Sequence, residues 1–269
     1  MPWTFLMSYL RMIAAIFAAL LPSPIQVAVL RAFCGYRIGR GVRIGFSLFS
    51  DIGQCTIDDG VHIGHGNVFL HIETLEIGER SQIGCFNLVR GGRRVRLGRF
   101  STIRHLNVLN SIIDPDLSNP ATPECLIGDG GVVTTNHWLD YTDRICLGAG
   151  SIVGGRSSSL WTHNRQRTRP ITIGSHTYIG SNVCIAPGAF VADCCVVALG
   201  SVLIDQYEEP RRLIGGNPAQ PLRTLREQDF ELVARATRCD MPRGLSLATL
   251  PMDLQPWAKE GYRSQSCPE

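Results

Sequence analysis

Residues 171–206 read ITIGSH TYIGSN VCIAPG AFVADC CVVALG SVLIDQ. The third place of each hexad is aliphatic: Ile173, Ile179, Ile185, Val191, Val197 and Leu203. A small residue follows in the first five, as Gly174, Gly180, Ala186, Ala192 and Ala198. A helix would repeat its apolar residues three and four apart, and a free hairpin would alternate them. A period of six with a small residue after the aliphatic one fits neither. It fits a short flat strand followed by a corner. Three such strands make a triangular coil in which the aliphatic residues point to the axis. A single coil cannot bury that face alone, so coils must stack.

The same register extends back to the start of the repeat. YRIGRG VRIGFS (36–47), VHIGHG (61–66), LEIGER SQIGCF (75–86), VRLGRF (95–100), CLIGDG GVVTTN (125–136) and ICLGAG SIVGGR (145–156) all obey it. They add Ile38, Ile44, Ile63, Ile77, Ile83, Leu97, Ile127, Val133, Leu147 and Val153 to the axial set. The expected fold is an all-β solenoid, a left-handed parallel β-helix of hexapeptide repeats. Two breaks, Asn110 to Glu124 and Asn164 to Pro170, read as loops leaving the coil. The expected organisation is an N-terminal apolar helical segment over 1–34, the β-helix over 35–204, a closing segment with a capping helix over 205–240, and a tail over 241–269. The capping helix, from Leu225 to about Arg238, would cover the open end of the solenoid.

The 269 residues carry 26 Lys and Arg against 23 Asp and Glu, with no basic block, so a nucleic-acid partner is not expected. Phe5 to Leu21 is almost wholly apolar but slightly short for a membrane span. It reads as a packed helix or as a peripheral membrane contact. The ten cysteines lack CxxC spacing and are expected to be reduced core thiols, which suggests a cytoplasmic protein, either free or at the inner face of the membrane.

PITIGSHTYIGSNVCIAPGAFVADCCVVALGSVL, followed by GGNPAQPLR, resembles the penultimate coils and closing GNPAK-like signature of hexapeptide-repeat acyltransferases. The likeness is to the maltose, galactoside and capsule-sugar O-acetyltransferase type. It implies an acyl transfer from acetyl-CoA to a saccharide or glycolipid-precursor hydroxyl, with no metal. The family's catalytic histidine stands just before a loop that precedes a Pro-x-x-Ile-Gly coil, which here is His163 in WTHNRQRTRP. An acceptor hydroxyl attacks a thioester poorly until a base takes its proton, and imidazole titrates close enough to neutrality to do so. Asn164 occupies a place where many relatives carry an acid, so an orienting charge must come from elsewhere.

NHWLDYTD, one coil earlier, supplies His137, Asp140 and Asp143. Counting hexads sets it beside SSSLWTHN, so His137 and a carboxylate are expected to approach His163. Trp161, Asn164 and Arg156 are the expected acceptor-binding residues. The resemblance further implies that Gly180, Ser181, Ala198 and Gly200 line the groove for the pantetheine arm, and that Arg211, Arg212 and Arg223 serve the phosphates. Tyr178 stands where relatives often carry tryptophan. Such a groove lies between subunits, which implies a homotrimer.

Two other classes compete. HIGHGNVFLHI offers His62, His65 and His71 to a metal, as in a γ-type carbonic anhydrase, although His65 and His71 are one residue too far apart for that motif. A non-catalytic β-helix scaffold is the other, since fold alone does not establish activity. A nucleotidyltransferase is disfavoured because no phosphate-binding βαβ unit precedes the coils.

Overall fold

Two-residue strands recur where the hexad sets an outward residue beside an aliphatic one, as at Arg43–Ile44, His62–Ile63 and Gln82–Ile83. In this computed structural model, which describes residues 13–112, 117–226 and 228–229, these strands pair in parallel with their counterparts one coil on. One row runs from Ile44 through Ile63, Ile83, Ile103, Val133, Val153, Ile179 and Val197 to Ile214. The result is an all-β parallel solenoid of about nine turns, the architecture of the β-helix that the hexads predict. All the axial residues named from the repeat lie in one continuous core. Burying each such side chain contributes about 1.5–3 kcal/mol before chain entropy is subtracted.

The first half also uses longer strands. Leu48–Ile57 and Val68–Ile77 each cover two faces, and both bend at a left-handed residue, Asp51 (φ 53°) and His71 (φ 55°). Inside the bend, Phe49 stacks on Phe69 with ring centres 4.6 Å apart.

One corner is held by a ladder of side chains. The Ser47 hydroxyl oxygen accepts from the Asn67 amide N–H, Asn67 Oδ1 from the Asn87 N–H, Asn87 Oδ1 from the Asn107 N–H, and Asn107 Oδ1 from the His137 N–H. His137 Nδ1 then accepts from the Ser158 N–H at 3.0 Å. Corner amides that no strand could pair are thereby satisfied inside the protein.

The helix Ser23–Cys34 ends at Gly35 in the left-handed conformation (φ 70°). It covers the N-terminal end of the solenoid. Leu30 is buried, Gln26 Nε2 donates to the Ser47 carbonyl at 2.8 Å, and the Arg31 guanidinium donates to the Ile38 and Gly39 carbonyls. Residues 13–18 are also helical, and no described helix is long and apolar enough to cross a membrane. The expected capping helix and tail fall largely outside the described residues, as does the apolar segment before residue 13.

Parallel pairing does not stop at Ile204. Gln206–Tyr207 and Arg212–Gly216 continue two faces, and Ala219–Thr224 then folds back antiparallel to close them. The hexad hides this because Glu208 to Arg211 lengthen the corner between the two strands. The thiol expectation also needs correction. Cys146 is disulfide-bonded, while Cys55, Cys85, Cys125, Cys184, Cys194 and Cys195 form no disulfide, so the expectation of reduced thiols does not hold for Cys146.

Candidate active site

The strand Trp138–Asp140 pairs with Ser159–Trp161 in the register Trp138↔Ser159, Leu139↔Leu160 and Asp140↔Trp161. Leu139 and Leu160 point to the axis, so Trp138, Asp140, Ser159 and Trp161 point outward. Past Trp161 the chain leaves the coil as a short hairpin, His163–Asn164 against Arg167–Thr168, with His163 opposite Thr168. Its turn begins at Arg165 in the left-handed region (φ 56°).

The hairpin is pinned by the other excursion. Asn119 Nδ2 donates to the Thr168 carbonyl at 3.1 Å while its Oδ1 accepts from the Thr168 N–H at 2.9 Å. The Ser118 N–H donates to the Gln166 carbonyl at 2.7 Å. The two breaks in the repeat thus support one another beside the histidine. The first loop is anchored where it returns. The Asp143 carboxylate accepts from the Thr122 N–H, and Glu124, buried, lies between Arg93 at 2.8 Å and Arg144 at 3.0 Å.

His163 Nδ1 faces Asp140 Oδ2 at 3.0 Å, with the histidine side chain 17% exposed and the carboxylate 2% exposed. The pair is close, but its alignment falls short of a hydrogen bond. Such contacts commonly tighten only when substrate is bound. Asp140 Oδ1 accepts from the Thr142 N–H at 3.1 Å, which fixes the carboxylate and leaves Oδ2 to the imidazole. Nδ1 is thus the nitrogen turned toward the acid, and Nε2 the one turned away from it. The carboxylate that the hexad count sets near His163 is that of Asp140, on the neighbouring coil.

His137 is not brought to His163, contrary to the expectation. It is buried in the corner ladder, with Nδ1 accepting from the Ser158 N–H and Nε2 2.8 Å from the Thr134 hydroxyl oxygen. Burial pushes its pKa down to about 4, against a smaller opposing effect of the Ser158 contact. A neutral imidazole bonded at both nitrogens is part of the wall. Asp143 likewise serves the loop.

The expected donor residues stack at a different corner. The Arg156 N–H donates to Ser181 Oγ at 3.3 Å, the Asn182 N–H to the Arg156 carbonyl at 2.9 Å, and the Gly200 N–H to the Ser181 carbonyl at 2.9 Å. Space there is tight, for a Cβ on Gly155 (φ +64°) would meet the Ser181 hydroxyl. Ala198 and Gly180 belong to the same corner, where their amides donate to the Ile214 and Val197 carbonyls. The strand Ser159–Trp161 separates this corner, with Arg156, from the one with His163. The strand itself spans three extended residues, about 10 Å of chain. Within one chain the expected donor residues and the expected base therefore stand at different corners.

Arg212 is paired with Glu209, and Arg223 lies 2.6 Å from Asp229, holding that carboxyl down to about 2. Arg211 is exposed. The three histidines of the metal alternative are not grouped: His71 pairs with Asp51 at 2.6 Å, and His65 Nδ1 accepts from the Phe46 N–H. Among the described residues no cluster of three or more His, Cys, Asp or Glu could hold an ion.

Trp138 escaped the sequence reading. Its ring stacks on Trp161 at 5.7 Å and 22°, and Trp161 meets His163 edge-on at 6.4 Å. Two outward tryptophans on neighbouring coils were the available signal.

No family model matches the chain. A Saccharomyces cerevisiae protein whose provisional name is acetyltransferase is 38% identical over 99 residues, 37% of this chain. The chain spans 41% of that protein's length. Solved structures also match at low identity. A UDP-N-acetylglucosamine acyltransferase from Campylobacter jejuni is 18% identical, with 76% of this chain and 79% of that one covered at a TM-score of 0.43. A hexapeptide-repeat acetyltransferase from Vibrio cholerae, with acetyl coenzyme A bound, is 22% identical over 56% of this chain and 72% of its own, at a TM-score of 0.36.

Proposed function

We propose that this protein is a coenzyme A-dependent acyltransferase, an O-acetyltransferase acting on a saccharide or glycolipid-precursor hydroxyl, with His163 as general base. The observation that carries this reading is the approach of His163 Nδ1 to the buried Asp140 carboxylate at 3.0 Å. Nε2 takes the proton of the acceptor hydroxyl as its oxygen attacks the thioester carbonyl. The tetrahedral adduct collapses, the carbon–sulfur bond breaks, and Nε2–H returns the proton to the departing thiolate. The imidazolium formed between these steps sits beside an acid shielded from water, where their attraction is stronger than at an exposed surface. The partial match to a yeast protein named as an acetyltransferase supports the reaction class.

The reading includes a homotrimer. The donor residues Gly180, Ser181, Ala198 and Gly200 stand one strand away from His163, so a neighbouring subunit must bring its donor corner to this chain's base. In that groove Arg211, Arg212 and Arg223 serve the phosphates, and Asn164 and Arg156 the acceptor. Peripheral membrane contact is part of the same reading, supported by the exposed Ile13, Ile16, Phe17 and Leu20 beside the N-terminal end.

Thiol release from acetyl-CoA, measured over a panel of sugar and glycolipid acceptors, tests the assignment. His163→Ala is expected to lose about 10²–10⁴-fold in kcat while still binding coenzyme A. Unchanged turnover in that variant would remove the base.

A further inference from the structure

Trp138 and Trp161 are each 39% exposed, unlike the aliphatic residues beside them, which are buried. Strand register makes them diagonal neighbours on adjacent coils, the separation across which large aromatic side chains can meet. They stack on one another at 5.7 Å, and the second ring touches His163 edge-on. Two indoles held open to water at the mouth of a site mark a surface built for a ligand. Trp138 is paired in parallel on both sides, with Val108 and Ser159, and Trp161 on one side with Asp140, so the strands hold the platform before anything binds.

We propose that Trp138 and Trp161 together form the docking platform for a pyranose ring of the acceptor, which lies with its C–H face against the outward face of the stacked indole pair and one hydroxyl toward His163 Nε2. The electron-rich face of an indole attracts the positive edge of C–H groups, and a pyranose presents several of them on one side. Its hydroxyls remain at the rim, where the platform ends at His163 and Asn164. The orientation toward the base rests on the function proposed above. The ring-on-indole contact does not.

Saturation-transfer NMR on the full-length protein, with methyl pyranosides and maltose as probes, reads the contact without any turnover. Ring C–H protons of at least one probe are expected to receive saturation. Trp138→Ala and Trp161→Ala are each expected to weaken that binding about tenfold or more, with partial recovery in Trp161→Phe. His163→Ala should retain it. Absence of transfer to every probe, or binding unchanged in both alanine variants, overturns the platform. So does a selective loss of coenzyme A binding in the tryptophan variants, which would assign the indoles to the donor's adenine. If pyranoside binding depends on the tryptophans while His163→Ala keeps full turnover, the platform stands and the assigned base falls.

Discussion

Replacing Asp140 by Asn would keep the shape of the side chain and remove the charge that faces His163. With Oδ1 still accepting from Thr142, the expected fold change is small and the catalytic one is not. For Asp140→Asn, kcat is expected to fall about 10- to 10³-fold, less than for His163→Ala, with acceptor KM little changed. Steady-state kinetics on both variants checks the order, and an Asp140→Asn enzyme with normal kcat would mean the carboxylate only packs. Asp140 was legible in the sequence because counting hexads sets it beside WTH, and the pairing Asp140↔Trp161 follows that count. His137 was misread for want of one further column. Asn67, Asn87 and Asn107 stand twenty residues apart, and His137 takes the next place in that series, where a side-chain acceptor is needed rather than a base.

Elements outside the regular coil decide how the site is held. The corner ladder makes His137 a pH-dependent contributor to stability. Its pKa in the folded protein is about 4 against an ordinary 6.5, so between these values the unfolded chain binds more protons. Stability from this group is complete above pH 6.5 and is lost as pH falls toward 4, by on the order of 2–3 kcal/mol. His137→Asn would extend the asparagine series with a group that does not titrate. Urea midpoints at pH 4.5 and 7.5 should show a shallower pH slope in that variant; parallel slopes would contradict the assignment. In the hairpin, Asn119→Ala removes the bonds to Thr168 and is expected to speed exchange of the Thr168 amide about 10- to 100-fold while the coil stays protected. Native-state hydrogen exchange reads this directly. Both excursions were legible as breaks in the hexad. Their mutual support was not, because a contact between residues 119 and 168 leaves no periodic trace.

At the scale of the molecule, the fold was the most legible feature, since one six-residue rule names a core that every coil repeats. The rule failed where strands lengthen, as at Leu48–Ile57, and at the last faces after Ile204, where corner length and not residue type changes. It also could not show the Cys146 disulfide. A whole-chain test of the repeat is the removal of residues 67–86, which joins Gly66 to Asn87. Asn87 then takes the place of Asn67 above Ser47, and Ile103 the place of Ile83 above Ile63. The shortened protein is expected to fold cooperatively at lower stability and to keep the turnover that depends on His163, as read by circular dichroism and the thiol assay. Aggregation, or loss of activity in a folded product, would show that the coils are not equivalent. The asparagine ladder gives this molecule a height gauge with only whole settings. The distance between the helix-covered end and His163 can change only in storeys of about 4.8 Å, so on the function proposed here the reach from that end to an acceptor hydroxyl is chosen by counting floors.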